Sequence, residues 1–292
     1  MKEFAELRVR ERFAKLLFRD DEGVRLGTSV RKIVLDTSDP RFQELPRLDA
    51  YCHKNFDTYF FAGWQKIYRY TKQEVAEAKL FHLNITKMFE PAGEECGTTY
   101  SSHDACGKCH TGAQQTSPLR LRRIRLSDKV VIARSIADEW LIRRDMVRQL
   151  EKVKVSGLVT QPIDSSRSSS RGAPAFEANW VQLRDKPELV DFHEDTRIGI
   201  DLINLDPPPY QPEHPDWVHR CAPHLAGLNL VSPVTIKRKS WGGADIVFSS
   251  AMVGTRRGLL RPARLILVSP RFAQVLRDVG GTGYRLDIAY LK

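Results

Sequence analysis

The sequence predicts an α+β fold made of two related strand–helix–strand units, an internal duplication with a zinc-ribbon-like knuckle at the head of the first unit. Three observations carry that prediction. At a shift of 115 residues, Cys106-Gly-Lys-Cys109 falls on Cys221-Ala-Pro-His224 and Gly112 on Gly227. The same shift of 115 puts Ser117-Pro118-Leu119 on Ser232-Pro233-Val234 and Leu121-Arg122-Arg123 on Ile236-Lys237-Arg238. At a shift of 126, Leu141, Leu150 and Gly157 fall on Leu267, Leu276 and Gly283.

The closing part of each copy is readable element by element. In the second, Arg264-Leu-Ile-Leu-Val268 is an apolar run of strand length, and Ser269-Pro270 supplies an N-cap and a first-turn proline. Phe272, Val275, Leu276 and Val279 recur at helical spacing. Gly280-Gly281 stops the helix, and Gly283 to Tyr290 alternates as a final strand. The first copy repeats this as Trp140-Leu-Ile, a helix with Met146, Val147 and Leu150, then Gly157-Leu-Val, with Arg143-Arg144 in place of the Ser-Pro cap. Between knuckle and helix each copy has a basic strand, Leu119 to Leu126 and Val234 to Trp241. One face of such a strand is apolar and the other cationic, through Arg120, Arg122, Arg123 and Arg125 in the first copy and Lys237, Arg238 and Lys239 in the second.

Residues 161–175 are Ser, Arg, Gly and Pro with almost nothing to bury, the composition of a linker. They divide the chain into an N-terminal domain, 1–160, and a C-terminal domain, 176–292. Upstream of the first knuckle, Thr71-Lys-Gln-Glu74 is a capping box opening a helix through Phe81. Phe56 to Tyr70 is dense in aromatic residues and reads as core, with an exposed recognition face as the sharper alternative.

At 292 residues the chain can bury two cores of ordinary size. A 41% hydrophobic, 28% charged composition with no long apolar stretch excludes a transmembrane helix. The charged N-terminal stretch lacks the apolar core of a secretory signal, so a cytoplasmic location and no membrane partner are expected. Five cysteines then read as thiols or metal ligands, not as a disulfide framework. A formal charge of +10 favours an acidic partner, either a protein face or nucleic acid.

The residues that point to chemistry are Cys96, Cys106 and Cys109. Thiolates two apart on a tight turn present both sulfurs to one tetrahedral Zn2+, and a third from a neighbouring turn adds to it. His103 is the expected fourth ligand, with His110, His82 and the Cys52-His53 pair as alternatives. In the second copy, Cys221 and His224 keep two ligand types, with His214 and His219 nearby, as either a second zinc site or a decayed one. Cys106-Gly-Lys-Cys109-His110 also matches a c-type haem attachment pattern, which leaves Cys96 unused. No Walker loop, Gly-x-Ser-x-Gly elbow or His-Glu-x2-His is present, and no enzyme is expected.

Two knuckles in one chain, the Pro118-Leu-Arg-Leu121 strand and the Leu267 to Phe272 segment together resemble a bacterial family of paralogues. That family is known in myxobacteria by a double Cys-x-x-Cys-Gly motif, and some of its members act as immunity proteins against delivered toxins. The resemblance covers roughly residues 94–160 and 210–292. His110 and Leu225 stand where the motif has glycine, and His224 where it has cysteine. It implies a zinc-stabilised, non-enzymatic protein that binds a protein partner, a toxin with an acidic face. The rival expectation is a basic, zinc-containing nucleic-acid-binding protein.

Overall fold

The computed structural model describes residues 1–103, 105, 113–122, 124–165, 179–185, 188–199, 225–227, 229–254 and 262–292. It is mixed α+β, with more strand than helix. In β1 (Lys2–Arg10), Ala5, Leu7 and Val9 point inward and alternate with outward residues, the period of a half-buried strand. A helical turn α1 (Glu11–Ala14), β2 (Val24–Leu26) and β3 (Val30–Asp36) follow. α2 (Leu45–Phe56) turns Leu45, Leu48 and Cys52 inward, and β4 (Phe61–Arg69) completes an antiparallel sheet in the order β2–β3–β1–β4. Cys52 packs in this core with Phe13, Phe42 and Phe60, and burial pushes its thiol up, so it serves packing and not the knuckle. Of the aromatic run, Phe60 is fully buried and Tyr68 nearly so, while Phe56 and Tyr59 are exposed.

α3 (Lys72–Glu77) opens on the expected capping box, with Thr71 Oγ1 accepting from Glu74 N and the Glu74 carboxylate accepting from Thr71 N. The helix stops at Glu77 and does not reach Phe81. Leu80, Phe81, His82 and Leu83 are all buried, because β5 (Leu80–Ile85) is a central strand covered on both faces. The chain then lays down β6 (Met88–Phe89), β7 (Tyr100–Ser101), β8 (Gln114–Gln115), β9 (Leu119–Leu121), β10 (Ile132–Ser135) and β11 (Trp140–Arg143). Helix α4 (Arg144–Lys152), β12 (Thr160–Gln161) and β13 (Ile163–Ser165) close this first run.

The second run starts with β14 (Trp180–Leu183), β15 (Leu189–Val190), β16 (Ile198–Gly199), β17 (Leu225–Gly227), β18 (Asn229–Leu230) and β19 (Thr235–Ile236). It ends with β20 (Ile246–Val253), β21 (Ala263–Val268), helix α5 (Pro270–Val279) and β22 (Tyr284–Leu291). Ser269 Oγ caps α5 by accepting from Phe272 N at 3.3 Å, and Gly280 at φ +66° ends it, as the sequence predicts. The basic strands are shorter than expected. Only Leu119–Leu121 and Thr235–Ile236 are extended, and Arg238–Ser240 forms a turn of 3-10 helix. The strand expected at Gly157 begins at Thr160.

Two larger sheets draw on these runs, a five-stranded one in the order β12–β14–β11–β10–β6 and a seven-stranded one in the order β19–β22–β5–β21–β20–β15, with β17 also paired to β20. They correspond in register as well as in order. Leu141 of β11 lies between Ala133 and Gln182, and Leu267 of β21 lies between Val247 and His82. Gln182 in turn pairs Gln161, as His82 pairs Asp287. β6 joins β10 in parallel through Met88 and Arg134, and β15 joins β20 in parallel through Leu189 and Phe248. β13 meets β9 in parallel at Asp164 and Arg120, and β22 meets β19 in parallel at Tyr290 and Thr235.

One inner strand of each sheet comes from the other run. β14 lies beyond the linker yet sits between β11 and β12, and β5 precedes the linker yet sits between β21 and β22. Each of the two sheets therefore takes strands from both sides of residues 161–175. α4 and α5 touch, and Met146, Val147 and Leu150 share one core with Phe272, Val275 and Leu276.

Asp245 ties the runs together just before β20. It is 5% exposed and accepts from Ser156 N at 2.8 Å, Ser156 Oγ at 2.9 Å and Ser269 Oγ at 2.6 Å, and it pairs with Arg271. Burial alone raises its carboxyl, but the bonds from Arg271, Ser156 and Ser269 outweigh burial and hold it at about 2. A carboxyl depressed by folding stabilises fully above its unfolded value, and that share is lost as pH falls from about 4 toward 2. Asp245→Asn is expected to cost on the order of 2 kcal/mol at neutral pH and to flatten the stability profile in that acid window. Urea melts across the window measure both, and a variant as stable as the parent at neutral pH refutes the assignment.

Candidate functional site

The knuckle residues fall around one β-ribbon. Cys96 ends a turn of 3-10 helix, Glu94–Cys96, is half-buried and forms no disulfide. Gly97 follows at φ +92°, a left-handed position that suits glycine. β7 then runs to exposed His103, whose backbone N–H donates to Ser101 Oγ at 3.3 Å, and β8 pairs back through Tyr100–Gln115 and Ser101–Gln114. Cys106, Cys109 and His110 lie outside the described residues, in the stretch of sequence that joins β7 to β8. Among the described residues, no three His, Cys, Asp or Glu side chains gather as a metal site. His82 is buried in mid-strand, where burial and the charge of Arg285 push its imidazole down to about 4.

The second run has the same ribbon. β16 pairs β18 through Ile198–Leu230 and Gly199–Asn229, and Cys221 and His224, outside the described residues, fall in the sequence between them. The two ribbons are anchored by the same bonds. Thr98 Oγ1 accepts from Arg120 N at 2.8 Å, and Thr196 Oγ1 accepts from Thr235 N at 2.8 Å. Ser117 Oγ accepts from Thr99 N at 2.9 Å, and Ser232 Oγ from Arg197 N at 2.8 Å. The Ser-Pro dipeptides noted in the sequence are thus ribbon anchors.

Each ribbon forms a wall of a groove. A cavity of about 700 Å3 is lined by Gln114 and Gln115 of β8, by Gln182 of β14 and Arg184 just beyond it, and by Trp140. A second, of about 440 Å3, is lined at the matching places by Asn229, Leu230, His82, Asn84 and Ile266. The two cavities share Asp138, Trp140, Ala263 and Arg264, where they meet. Trp140 is held by stacking on Phe248, with centroids 5.5 Å apart and planes 16° from parallel.

No protein-family model and no curated protein matches this sequence.

The acids of the groove are engaged by the fold. Glu139, 5% exposed, accepts from Gly93 N at 2.8 Å, Tyr100 Oη at 2.5 Å and Ser135 Oγ at 2.6 Å. Asp138 pairs with Arg134, and burial raises its carboxyl against that pairing. Asp185 faces Arg264 at 3.8 Å. These contacts leave a groove of mixed lining, with amides, Trp140 and arginines beside apolar residues such as Leu189, Met252 and Ile266, a surface suited to recognising a peptide's backbone and side chains. The sequence pattern did not single out Gln115, Gln182 or Arg184. The one available signal was Gln182, a polar residue inside the wholly buried strand Trp180–Leu183.

Proposed function

We propose that this chain is a non-enzymatic binding protein made by internal duplication, stapled by structural zinc, that holds a protein partner in the manner of an immunity protein neutralising a cognate toxin in the cytoplasm. The observation that supports this most is the repeated ribbon. Cys106 and Cys109 in the first, and Cys221 and His224 in the second, fall in sequence between the paired strands of a ribbon anchored by the same Thr and Ser bonds, and each ribbon walls a groove. A thiolate pair on such a ribbon suits Zn2+, with Cys96 and His103 flanking β7 as the remaining ligands. The metal's role is to fix the loop, and with it the groove wall, before the partner arrives. Among the described residues no helix is long and apolar enough to cross a membrane.

Purified chain is expected to hold about one zinc, or two if the second ribbon is also loaded. Cys106→Ser is expected to lower thermal stability far more than Cys221→Ser. A metal-free chain removes the staple, and equal effects of the two substitutions remove the ranking of the ribbons. The partner is tested by affinity capture from native cytoplasm, where a stoichiometric, tight complex with one protein is the expected result. A second reading, nucleic-acid binding, is favoured by the exposed cations Arg122, Arg125, Lys237, Arg238 and Lys239 beside the two short basic strands. Its mark is DNA or RNA affinity that collapses between low and moderate salt.

A further inference from the structure

Arg184 differs from the other arginines around the groove. Arg134 meets Asp138, Arg143 meets Asp145, Arg264 meets Asp185 and Arg285 meets Asp287. Arg184 is half-buried too, but its guanidinium makes one bond, from Nη1 to Gln115 Oε1 at 2.6 Å, and meets no carboxylate among the described residues.

The bond to Gln115 is itself braced. Gln115 Nε2 donates to Ser117 O at 2.8 Å and to Gln182 Oε1 at 3.1 Å, while Gln182 Nε2 donates back to Gln115 Oε1 at 2.7 Å. Gln182 is 3% exposed, so this amide pair is locked in the interior and holds Arg184 in one orientation. With Nη1 occupied, the Nε–H and Nη2–H edge of the guanidinium remains undonated among the described residues. That edge is the one that accepts a carboxylate through two parallel bonds. Arg184 lines both the cavity of about 700 Å3 and a neighbouring one of about 420 Å3, so the edge is reachable from the groove.

We propose that Arg184 is a preorganised seat for an aspartate or glutamate carboxylate on an extended, acidic segment of a protein partner lying along the groove. The inference rests on the partner-binding reading above and names the segment's chemistry. The groove fits an extended segment because the two cavities run into one another past Trp140, Asp138 and Arg264. It also fixes the direction of that segment. At the place in the second cavity that matches Arg184 stands Asn84, a neutral amide, so only one end of the groove takes the charge. The groove's own carboxylates do not compete for Arg184, since Asp138 and Asp185 face arginines and Glu139 is saturated by Gly93, Tyr100 and Ser135.

The test is calorimetric titration of the full chain at fixed low salt with an acetylated, amidated peptide of alternating Gly and Glu. Its Gly/Gln counterpart and inorganic phosphate are titrated in parallel. The Glu peptide is expected to bind, with the Gln peptide at least about tenfold weaker. Arg184→Gln is expected to lose about tenfold or more of the Glu-peptide affinity, and Arg184→Lys, which keeps the charge but not the fork, to lose part of it. Arg47→Gln, exposed on α2 and paired with Glu44, is the control and is expected to leave the affinity unchanged. No binding of the Glu peptide overturns the proposal, as does binding that is indifferent to Arg184 or equally sensitive to Arg47, which marks general attraction to a basic protein. Phosphate that binds through Arg184 as tightly as the peptide overturns the assignment to a carboxylate segment. A failure of any of these leaves the zinc content and the captured partner untouched, and a zinc-free chain leaves the peptide titration intact.

Discussion

A chain cut once between Ser166 and Ala175 is expected to stay in one piece under native conditions and to part only in denaturant. Each of the two larger sheets takes an inner strand from the other side of this stretch, so neither fragment holds either of those sheets complete. A fragment ending at Ser165 keeps β10, β11 and β12 but lacks β14, and its own β5 has lost β21 and β22. A fragment starting at Phe176 has the converse defect. β5 buries Leu80, Phe81, Leu83 and Ile85. At about 1.5–3 kcal/mol for each such side chain, losing that strand removes on the order of 6–12 kcal/mol. A domain's whole stability is about 5–15 kcal/mol. Each fragment made alone should therefore lack a cooperative unfolding transition beyond that of the β1–β4 unit, and co-expression should restore it. A protease site inserted in this Ser-, Arg-, Gly- and Pro-rich stretch, followed by size exclusion and circular dichroism, measures both. Fragments that separate after cutting, or a C-terminal fragment that folds by itself, would sink the exchange.

The same exchange explains what was legible in the sequence and what was not. Local signals were clear. Ser269-Pro270 and Gly280 bound α5, and the Thr71 to Glu74 box opens α3, because caps depend on residues within a turn of each other. The paired offsets of the Cys-x2-Cys and closing segments suggested two related runs, and the pairings around Leu141 and Leu267 are alike in the two sheets, though one has five strands and the other seven. What the offsets could not show is which strand completes which sheet. β5 has a continuous buried pattern that fits either sheet equally well, and nothing within Leu80–Ile85 names β21 and β22 as its neighbours. The aromatic run, read as core, packs there through Phe60, Phe61, Trp64 and Tyr68 but not at every position. Phe60 and Phe56 are alike in sequence, but only Phe60 faces the core beneath β1. The groove was the least legible part, since Gln115, Gln182 and Arg184 come from places in the chain that only the exchange brings together. Two thiolates of the expected zinc site lie outside the described residues, so Cys96 and His103 alone carry that expectation into the structure.

Gly157→Val and Gly283→Val are each expected to cost about 4 kcal/mol or more, among the largest effects of any single change in the chain. These two glycines occupy matching places after α4 and α5, and each touches the other run. A Cβ on Gly157 falls 2.4 Å from Ile246 O at the start of β20, and one on Gly283 falls 2.1 Å from Ile132 O at the start of β10. Both obstacles are backbone carbonyls in central hairpins, which cannot swing aside as a side chain could. Both glycines also have positive φ, +82° and +103°, which a β-branched residue adopts only under strain of about 1–3 kcal/mol. Clash and strain add, and the clash pushes directly on the hydrogen bond from Ile246 N to Ser156 O at one site and from Val131 N to Thr282 O at the other. Gly280→Ala supplies the comparison. It has φ +66° but nothing within 4 Å of its added carbon, so only the conformational term of about 1 kcal/mol remains. Urea unfolding of the three variants separates close approach from backbone conformation. If Gly157→Val and Gly283→Val cost no more than Gly280→Ala, the two runs are not in contact there and the matched junction is lost. If only one of the pair is costly, the runs meet on one side alone, and the correspondence between them ends at the helices.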